Sequence, residues 1–247
     1  MTALHCYGFV AADAPPPEVE GVGEPAAPVE LVAHGQVAAL TSPVAPDRPL
    51  RARDARAHAR VIDAAHAQGA VLPARFPSVV DGPAALTTDV LAPLEPRLAH
   101  ALAEVSGAAQ VSVRASYAED RVLAELVRDD AEVARLHART AGADPMAVHG
   151  ERIRLGERVA ARLERRRRVD APRVREALGT VADRLVVSDP GRAYGIVDVD
   201  ALVPRAGLDE LDERLEQAAA DLDEAIHLEV VGPTAPYAFA DLREWSG

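Results

Sequence analysis

The sequence lacks lysine altogether and contains a single cysteine. One cysteine cannot form a disulfide within the chain, so packing and hydrogen bonds must hold the fold together. Cys6 lies in the first apolar run, where we expect a small core residue. The missing lysine means that every basic side chain apart from histidine is an arginine, which by itself indicates no mechanism.

Aromatic residues are also scarce, at 3 % of the chain. The apolar fraction of 49 % therefore consists mainly of alanine, valine and leucine, and a core built from them depends on many small contacts. A chain of 247 residues is long enough for one large domain or two small ones.

Long apolar runs are absent as well. No stretch approaches the roughly 18 apolar residues that a membrane span requires. The first four residues lead into a strand pattern without a basic leader. We therefore expect a cytoplasmic protein with no membrane span.

Motifs of catalysis are missing. The chain has no glycine-rich phosphate loop, no Gly-x-Ser-x-Gly, no His-Glu-x-x-His and no Cys-x-x-Cys. Asp198 and Asp200 could hold Mg²⁺ or act as acid and base, but without a nearby histidine or phosphate loop we interpret them as part of a solvent-facing strand edge. His58 and His66 are about 12 Å apart along a predicted helix, too far to share a metal ion. We predict no enzyme activity, no metal site and no cofactor; an enzyme with a spatially assembled acidic site is the alternative.

Charge is distributed unevenly along the chain, whose formal net charge is −12. Residues 151–168 contain eight arginines and three glutamates, whereas 198–229 contain eleven acidic residues and two arginines. A bipolar surface favours oriented association with partners, and the overall acidity argues against general nucleic-acid binding.

Four consecutive arginines at the end of the basic segment are candidates for a partner contact: Arg165, Arg166, Arg167 and Arg168. Three other interpretations are open. The run could be a solvated helix end, a partner for the acidic helix of the same chain, or the basic patch of a nucleic-acid adaptor.

The first half of the chain alternates strand and helix patterns. Strands are predicted over 4–10, 29–33, 36–43, 70–76 and 110–117, and helices over 50–68 and from about 95 to Gly107. Pro73 places its strand at an edge or a bulge, and Pro93 and Pro96 delay the regular part of the second helix.

From Glu119 two long helices are predicted to form an antiparallel hairpin, the first ending at Ala141 and the second capped by Asp144. Gly156 lies inside the second helix, where glycine costs about 1 kcal/mol relative to alanine, so it is predicted to let another backbone approach. A further helix is predicted after Pro172, and an amphipathic helix over 208–226 lies on a sheet.

Together these patterns predict the α+β class. The change at Glu119 and a weak internal repeat divide the chain into an N-terminal ferredoxin-like domain, 1–118, and an α+β C-terminal domain, 119–247, that begins with the helical hairpin. Helices are expected on one face of each sheet.

The segment 228–240 combines a strand, a Gly-Pro corner and an extended return. Tyr237 and Phe239 lie in it, and Trp245 follows, so much of the bulky packing surface of the chain is at this end. These aromatics either close the last sheet or form a binding edge, and we take all three as tentative partner contacts.

Gly232-Pro233 followed by Pro236-Tyr237-Ala238-Phe239 resembles the C-terminal signature of the gas vesicle accessory proteins of the GvpF/GvpL family. The resemblance continues in order through four earlier segments: Tyr7-Gly8-Phe9-Val10, His34 to Leu40, Val71 to Phe76 and Leu155 to Val159. Two positions depart from the family pattern. Thr234 stands where tryptophan is common, and Pro77 stands where glycine is usual.

The resemblance implies an accessory protein of gas vesicle assembly, with an N-terminal ferredoxin-like domain joined to an α+β C-terminal domain. It also implies partners, namely the major hydrophobic shell protein and other accessory proteins, during nucleation or growth of the vesicle. The expected location is the cytoplasm, in association with the gas vesicle.

Overall fold

The computed structural model describes residues 2–46 and 48–240. Two compact units are present. The first contains the described residues of 1–111, 202–205 and 232–247, and the second contains 112–201 and 206–231. Both are built from an antiparallel sheet with helices, which confirms the predicted α+β class. The proposed cut at residue 118 stays a prediction.

The sheet of the first unit is formed by five strands with β1 near its centre. The strands are β1 (Ala3–Ala11), β2 (Glu30–His34), β3 (Val37–Val44), β4 (Leu72–Pro73) and β5 (Val79–Val80). Their order is β2-β3-β1-β4, and β5 also pairs with β1. The pairings of β1 with β3, β4 and β5, and of β2 with β3, are antiparallel.

Helices cover both faces of this sheet, and the expectation of helices on one face is wrong here. The helices are α1 (Ala52–Gln68), α2 (Pro83–Ala85), a π-helical turn (Leu86–Leu91) and α3 (Ala92–Glu104). Along β3, Val37 and Ala39 pack in the core that contains α3, whereas Ala38 and Leu40 pack in the core that contains α1. A sheet covered on both faces needs apolar residues at consecutive positions, which explains why β1 is buried at every position except its last.

A register shift in β1 lies between Cys6 and Gly8. It changes which residues share a face, because an extra residue in a strand reverses the alternation of side chains. Leu4, Cys6 and Phe9 consequently lie in one core, and Tyr7 and Val10 in the other. Cys6 is a buried core residue, as predicted.

The second sheet has the order β7-β8-β6-β9. Its strands are β6 (Ala108–Tyr117), β7 (Arg184–Ser188), β8 (Gly195–Pro204) and β9 (Ile226–Thr234). The helices of this half are α4 (Glu119–Asp129), α5 (Ala131–Thr140), α6 (His149–Gly179) and α7 (Leu208–Asp221).

Two helix predictions need correction. The first helix of the hairpin is broken at Asp130, whose side chain accepts hydrogen bonds from the backbone N–H groups of Glu132 and Val133 and so caps α5. The break expected at Pro172 is absent, because α6 continues through it for 31 residues. None of the helices in the described part of the chain is long and apolar enough to cross a membrane.

Candidate partner-binding surfaces

The C-terminal segment is fixed to the core of the first unit. At Gly232 the backbone φ angle is 147°, and a Cβ atom there would lie 2.8 Å from the carbonyl oxygen of Gln110. Only glycine fits this conformation and this close approach. The Thr234 hydroxyl donates to the same carbonyl (3.4 Å), and the Ala238 N–H donates to Oε1 of Gln110 (2.8 Å).

Beyond Thr234 the chain forms a turn, and the predicted extended return is wrong. The N–H groups of Phe239 and Ala240 both donate to the carbonyl of Pro236. An extended strand would place Tyr237 and Phe239 on one face, whereas the turn separates them.

Phe239 is buried at 4 % exposure in the same core as Phe9 and Leu98. A side chain buried there cannot contact a partner while the unit stays folded. Phe239 is therefore a core residue, in line with the alternative that the aromatics pack inside the protein and do not form a binding edge. Tyr237 is 44 % exposed and can contact a partner. Its partial burial, together with Asp63, raises the pKa of Tyr237 to about 12. Trp245 lies outside the described residues.

The arginine run belongs to α6 and is largely engaged within the second unit. Arg166 forms ion pairs with Glu125 (2.5 Å) and Asp223 (2.8 Å), and its guanidinium lies 5.3 Å from the ring centre of Tyr117. Asp223 follows α7 and lies within the acidic helix predicted over 208–226. One of the open interpretations, that this acidic segment of the same chain pairs with the arginine run, therefore holds for Arg166.

The remaining arginines of the run differ in their engagement. Arg167 donates to the carbonyl of Ala193 and pairs with Glu164, which also pairs with Arg168 at 3.6 Å. Arg165 is exposed and forms no ion pair with any described residue. The run is therefore mainly a structural network, with Arg165 and Arg168 at the surface.

Tyr117 connects this network to the sheet. Its hydroxyl donates to the carboxylate of Asp170 (2.9 Å), and both side chains are buried. Burial and the neighbouring Asp170 raise the pKa of Tyr117. The tyrosine therefore stays protonated and holds α6 against strand β6.

A groove on the second unit was not predicted from the sequence. A groove of about 780 Å³ lies between α4, α5 and α6. Its walls are mostly apolar, with Leu123 and Val127 from α4, Val133 from α5, and Leu155 and Val159 from α6. Its polar side chains are Asp120, His137, Thr140, Arg152 and Tyr194.

A second hollow of about 430 Å³ adjoins the groove. The two share Gly156, Val159 and Tyr194, and the second extends along α6 to Leu163 and Arg167. We call the two together the α6 groove. It follows α6 from Arg152 to Arg167.

Gly156 lies on the wall of the α6 groove. No heavy atom outside its own helix turn and chain neighbours lies within 4 Å of the position of a Cβ atom, among the residues that the structure describes. The predicted approach of another backbone is therefore absent among the described residues. A mid-helix glycine costs about 1 kcal/mol relative to alanine.

The sequence contained a signal for this groove. In the sequence, Ile153, Gly156, Val159 and Leu163 are spaced along one face of the predicted helix. In the structure Leu163 is buried, whereas Ile153 is 49 % exposed.

The acidic pair of the enzyme alternative has other roles. Asp198 forms two hydrogen bonds with Arg192 (2.7 and 2.8 Å), and Asp200 accepts from the Ser112 hydroxyl (2.5 Å). Neither lines the α6 groove. Within the described ranges, no group of three or more His, Cys, Asp or Glu side chains is arranged to hold a metal ion.

His58 and His66 are separate buried groups. Nδ1 of His58 lies 3.0 Å from Nε2 of His5, and Nε2 of His58 lies 3.1 Å from the carbonyl of Ala74. Burial lowers the pKa of His5 to about 4, so the pair is neutral near pH 7.

Comparison with known proteins gives concordant matches. The model of the family "Gas vesicle synthesis protein GvpL/GvpF" matches residues 3–241. Gas vesicle protein F of Streptomyces sp. (strain CB03234) is 32 % identical over 249 residues, covering 97 % of this chain and all of that protein.

Two crystal structures share the fold. GvpF from Anabaena sp. PCC7120 has a TM-score of 0.80 at 24 % identity, covering 98 % of this chain and 99 % of the other. GvpF from Microcystis aeruginosa has a TM-score of 0.76 at 21 % identity, covering 98 % and 100 %. They confirm the α+β architecture over nearly the whole chain.

Proposed function

Because the chain belongs to the gas vesicle synthesis protein GvpL/GvpF family, we propose that it binds the small hydrophobic shell protein of the vesicle and other accessory proteins while the vesicle nucleates or grows. An accessory role in gas vesicle formation follows from membership of the family, which is not a family of enzymes. The binding of particular partners is the proposed part.

The α6 groove is the observation that carries this proposal. A folded unit normally covers its apolar side chains, and a concave apolar surface of about 780 Å³ is typical of a binding site. A shell protein with apolar surfaces needs such cover before it reaches the growing wall. The groove supplies such cover.

The two alternative functions have less support. The enzyme alternative depends on Asp198 and Asp200, which are engaged with Arg192 and Ser112. The nucleic-acid alternative depends on the arginine run, but Arg166 is engaged with Glu125 and Asp223, and the net charge is −12.

Co-purification tests the proposal. The full chain with an affinity tag is co-expressed with the major shell protein, and the eluate is examined for the shell protein. We expect recovery in a fixed ratio to the tagged chain. If the tagged chain is folded and the shell protein soluble, absence of the shell protein from the eluate contradicts direct binding.

Two exposed groups are proposed as contacts with other accessory proteins. Tyr237 offers an aromatic surface on the first unit, and Arg165 and Arg168 offer positive charge on α6. Aromatic and arginine side chains are enriched in protein interfaces. These contacts are separate from the α6 groove, whose lining they do not join.

A further inference from the structure

The shape of the α6 groove restricts what can occupy it. Its lining extends from Arg152 to Arg167 of α6. At a rise of 1.5 Å per residue that segment is roughly 22 Å long, or about four helical turns. The occupant is therefore a segment of chain, because a small molecule would fill only part of this length.

The walls favour a helix over a strand. The main groove is lined by α4, α5 and α6, with Ala141 and Tyr194 at its edges. The adjoining hollow adds four loop residues, namely Asp189, Gly191, Arg192 and Ala193. Neither part of the lining includes a β-strand edge. An extended peptide would leave its own N–H and C=O groups unpaired against helical walls, whereas a helix satisfies them internally.

Gly156 marks the point of closest approach. Without a Cβ atom at this position, a second helix can cross α6 at shorter range than any larger residue permits. The space in front of Gly156 is open among the described residues, so the glycine is available to a partner.

Charge indicates which residues flank the apolar face of the occupant. Arg152 lines the groove and forms no ion pair with a described residue, whereas Arg158 and Arg162 of the same helix are paired with Asp130. Asp120 of α4 is the acidic group of the main groove lining. A carboxylate on the incoming helix would pair with Arg152. The occupant is thus apolar on one face and carries a carboxylate where it meets Arg152.

A second copy of this chain does not match that description. Its acidic amphipathic helix is α7, but Leu211 and Leu215 of α7 are buried at 1 % and 7 % exposure in their own unit. That apolar face could enter the groove of another copy only if the unit opened. A segment of a different protein is required.

We propose that the α6 groove receives one amphipathic helix of the shell protein, which crosses α6 at Gly156 and places a carboxylate at Arg152. This inference rests on the proposed function and adds to it the site, the conformation of the bound segment and its charge.

A pair of glycine variants tests the site. Gly156→Leu fills the groove, and Gly150→Leu makes the same change on the same helix outside the lining. Both positions are open, so both variants are expected to fold, as circular dichroism would check. Binding of the shell protein should fall about ten-fold or more in Gly156→Leu and stay unchanged in Gly150→Leu.

The outcomes separate this inference from the function on which it depends. If the wild type and Gly156→Leu bind the shell protein equally, the groove assignment is overturned and the proposed function stands. If the wild type does not bind, both fail. If Gly156→Leu instead dissolves a dimer seen by sedimentation, the occupant is a second copy and the inference is overturned.

Cross-linking tests the conformation of the occupant. Cys6 is fully buried and its pKa is raised to about 12, so a cysteine introduced at exposed Ala124 or Ala160 would be the reactive thiol. A photoreactive label there should attach to shell-protein residues spaced three or four apart. Attachment at every second residue would indicate a strand and overturn the inference.

Charge reversal tests whether the bound helix places a carboxylate at Arg152. Arg152→Glu should weaken binding about ten-fold, whereas Arg175→Glu, exposed further along the same helix, should not. Equal affinity of the Arg152→Glu variant and the wild type would contradict the claim that a carboxylate of the bound helix pairs with Arg152.

Discussion

At the scale of single residues, the buried histidines give the first unit a predictable response to acid. His66 is buried, and both of its ring nitrogens lack a hydrogen-bond partner among the described residues. Burial, with a smaller contribution from Arg205, lowers the pKa of His66 to about 4. The ring is therefore neutral in the folded protein at every pH above that value.

This arrangement predicts a loss of stability in acid. In the unfolded chain His66 takes up a proton near pH 6.5, but the folded chain does so only near pH 4. Its contribution is therefore complete above pH 6.5 and is lost as the pH falls from 6.5 toward 4, by at most about 1.4 kcal/mol per pH unit.

Replacement of the ring tests this. His66→Leu keeps an apolar side chain of similar size, so we expect a smaller pH dependence of the free energy of unfolding in urea between pH 7 and pH 4.5. His100→Gln, at an exposed helix position, serves as the control and should retain the wild-type dependence. A His66→Leu protein with an unchanged slope would contradict the account.

The fate of the aromatic residues shows what sequence can tell at this scale. Tyr237 and Phe239 are two residues apart and have the same apolar context. Their different exposure depends on the turn at Pro236, where backbone hydrogen bonds replace the extended conformation. A Tyr-x-Phe pattern contains no information about that turn. The sequence therefore could not show that Tyr237 stays exposed to a partner while Phe239 is buried.

At the scale of elements, strands and helices were predictable where alternation or helical spacing was strong. Strand β6 and helix α1 agree with their predicted ranges to within a few residues. The exceptions have local causes. Asp130 interrupts a helical pattern because its carboxylate replaces the missing backbone partners at the start of α5.

At Asp130 a helix break was not predicted, whereas at Pro172 a predicted break is absent. Pro172 was predicted to begin a new helix, yet α6 passes through it. Proline removes one backbone hydrogen bond, and long-range packing can offset that loss. Val174 and Leu178, in the turns after the proline, are buried in the structure. Such packing depends on distant parts of the chain and is invisible to a local pattern.

The capping role of Asp130 leads to a prediction. Its carboxylate caps α5 and lies 3.0 Å from nitrogens of both Arg158 and Arg162, so it joins α5 to α6. Asp130→Ala should lower the free energy of unfolding by about 2 kcal/mol, since it removes a cap and leaves two arginines without this partner.

Asp130→Asn separates the two contributions. Asparagine caps helices as well as aspartate does but carries no charge, so its loss should be smaller than that of alanine. Urea unfolding followed by circular dichroism at 222 nm would measure both variants. Equal losses would show that the cap contributes little, contrary to this interpretation.

At the scale of the whole molecule, the residues of the first unit are not contiguous in the chain. Leu202 and Phe239, from its two late segments, lie in the same core as Leu4 and Phe9. Periodicity describes neighbours in sequence and cannot show that residues more than two hundred positions apart share a core. For the same reason the α6 groove, which needs three helices in place, did not emerge from any single pattern.

The proposed contacts lie on different units, with Tyr237 on the first and the α6 groove on the second. We therefore predict that a substitution can abolish the binding of one partner and leave the binding of the other intact. Tyr237→Ala should reduce the recovery of other accessory proteins with the tagged chain, because it removes an exposed aromatic contact, and should leave the shell protein bound. Val79→Ala changes an exposed apolar residue of the same unit and is the matched control. Parallel loss of the shell protein in Tyr237→Ala would show that the two contacts are not separate.

The most direct test of the central claim measures the solubility of the shell protein. Increasing amounts of the purified chain are added to a fixed amount of shell protein, and the shell protein left in the supernatant after centrifugation is quantified. We predict that soluble shell protein rises with the added chain and saturates at a fixed molar ratio. No increase at any ratio, with the chain folded and monodisperse, would contradict the proposal that it binds and covers the shell protein.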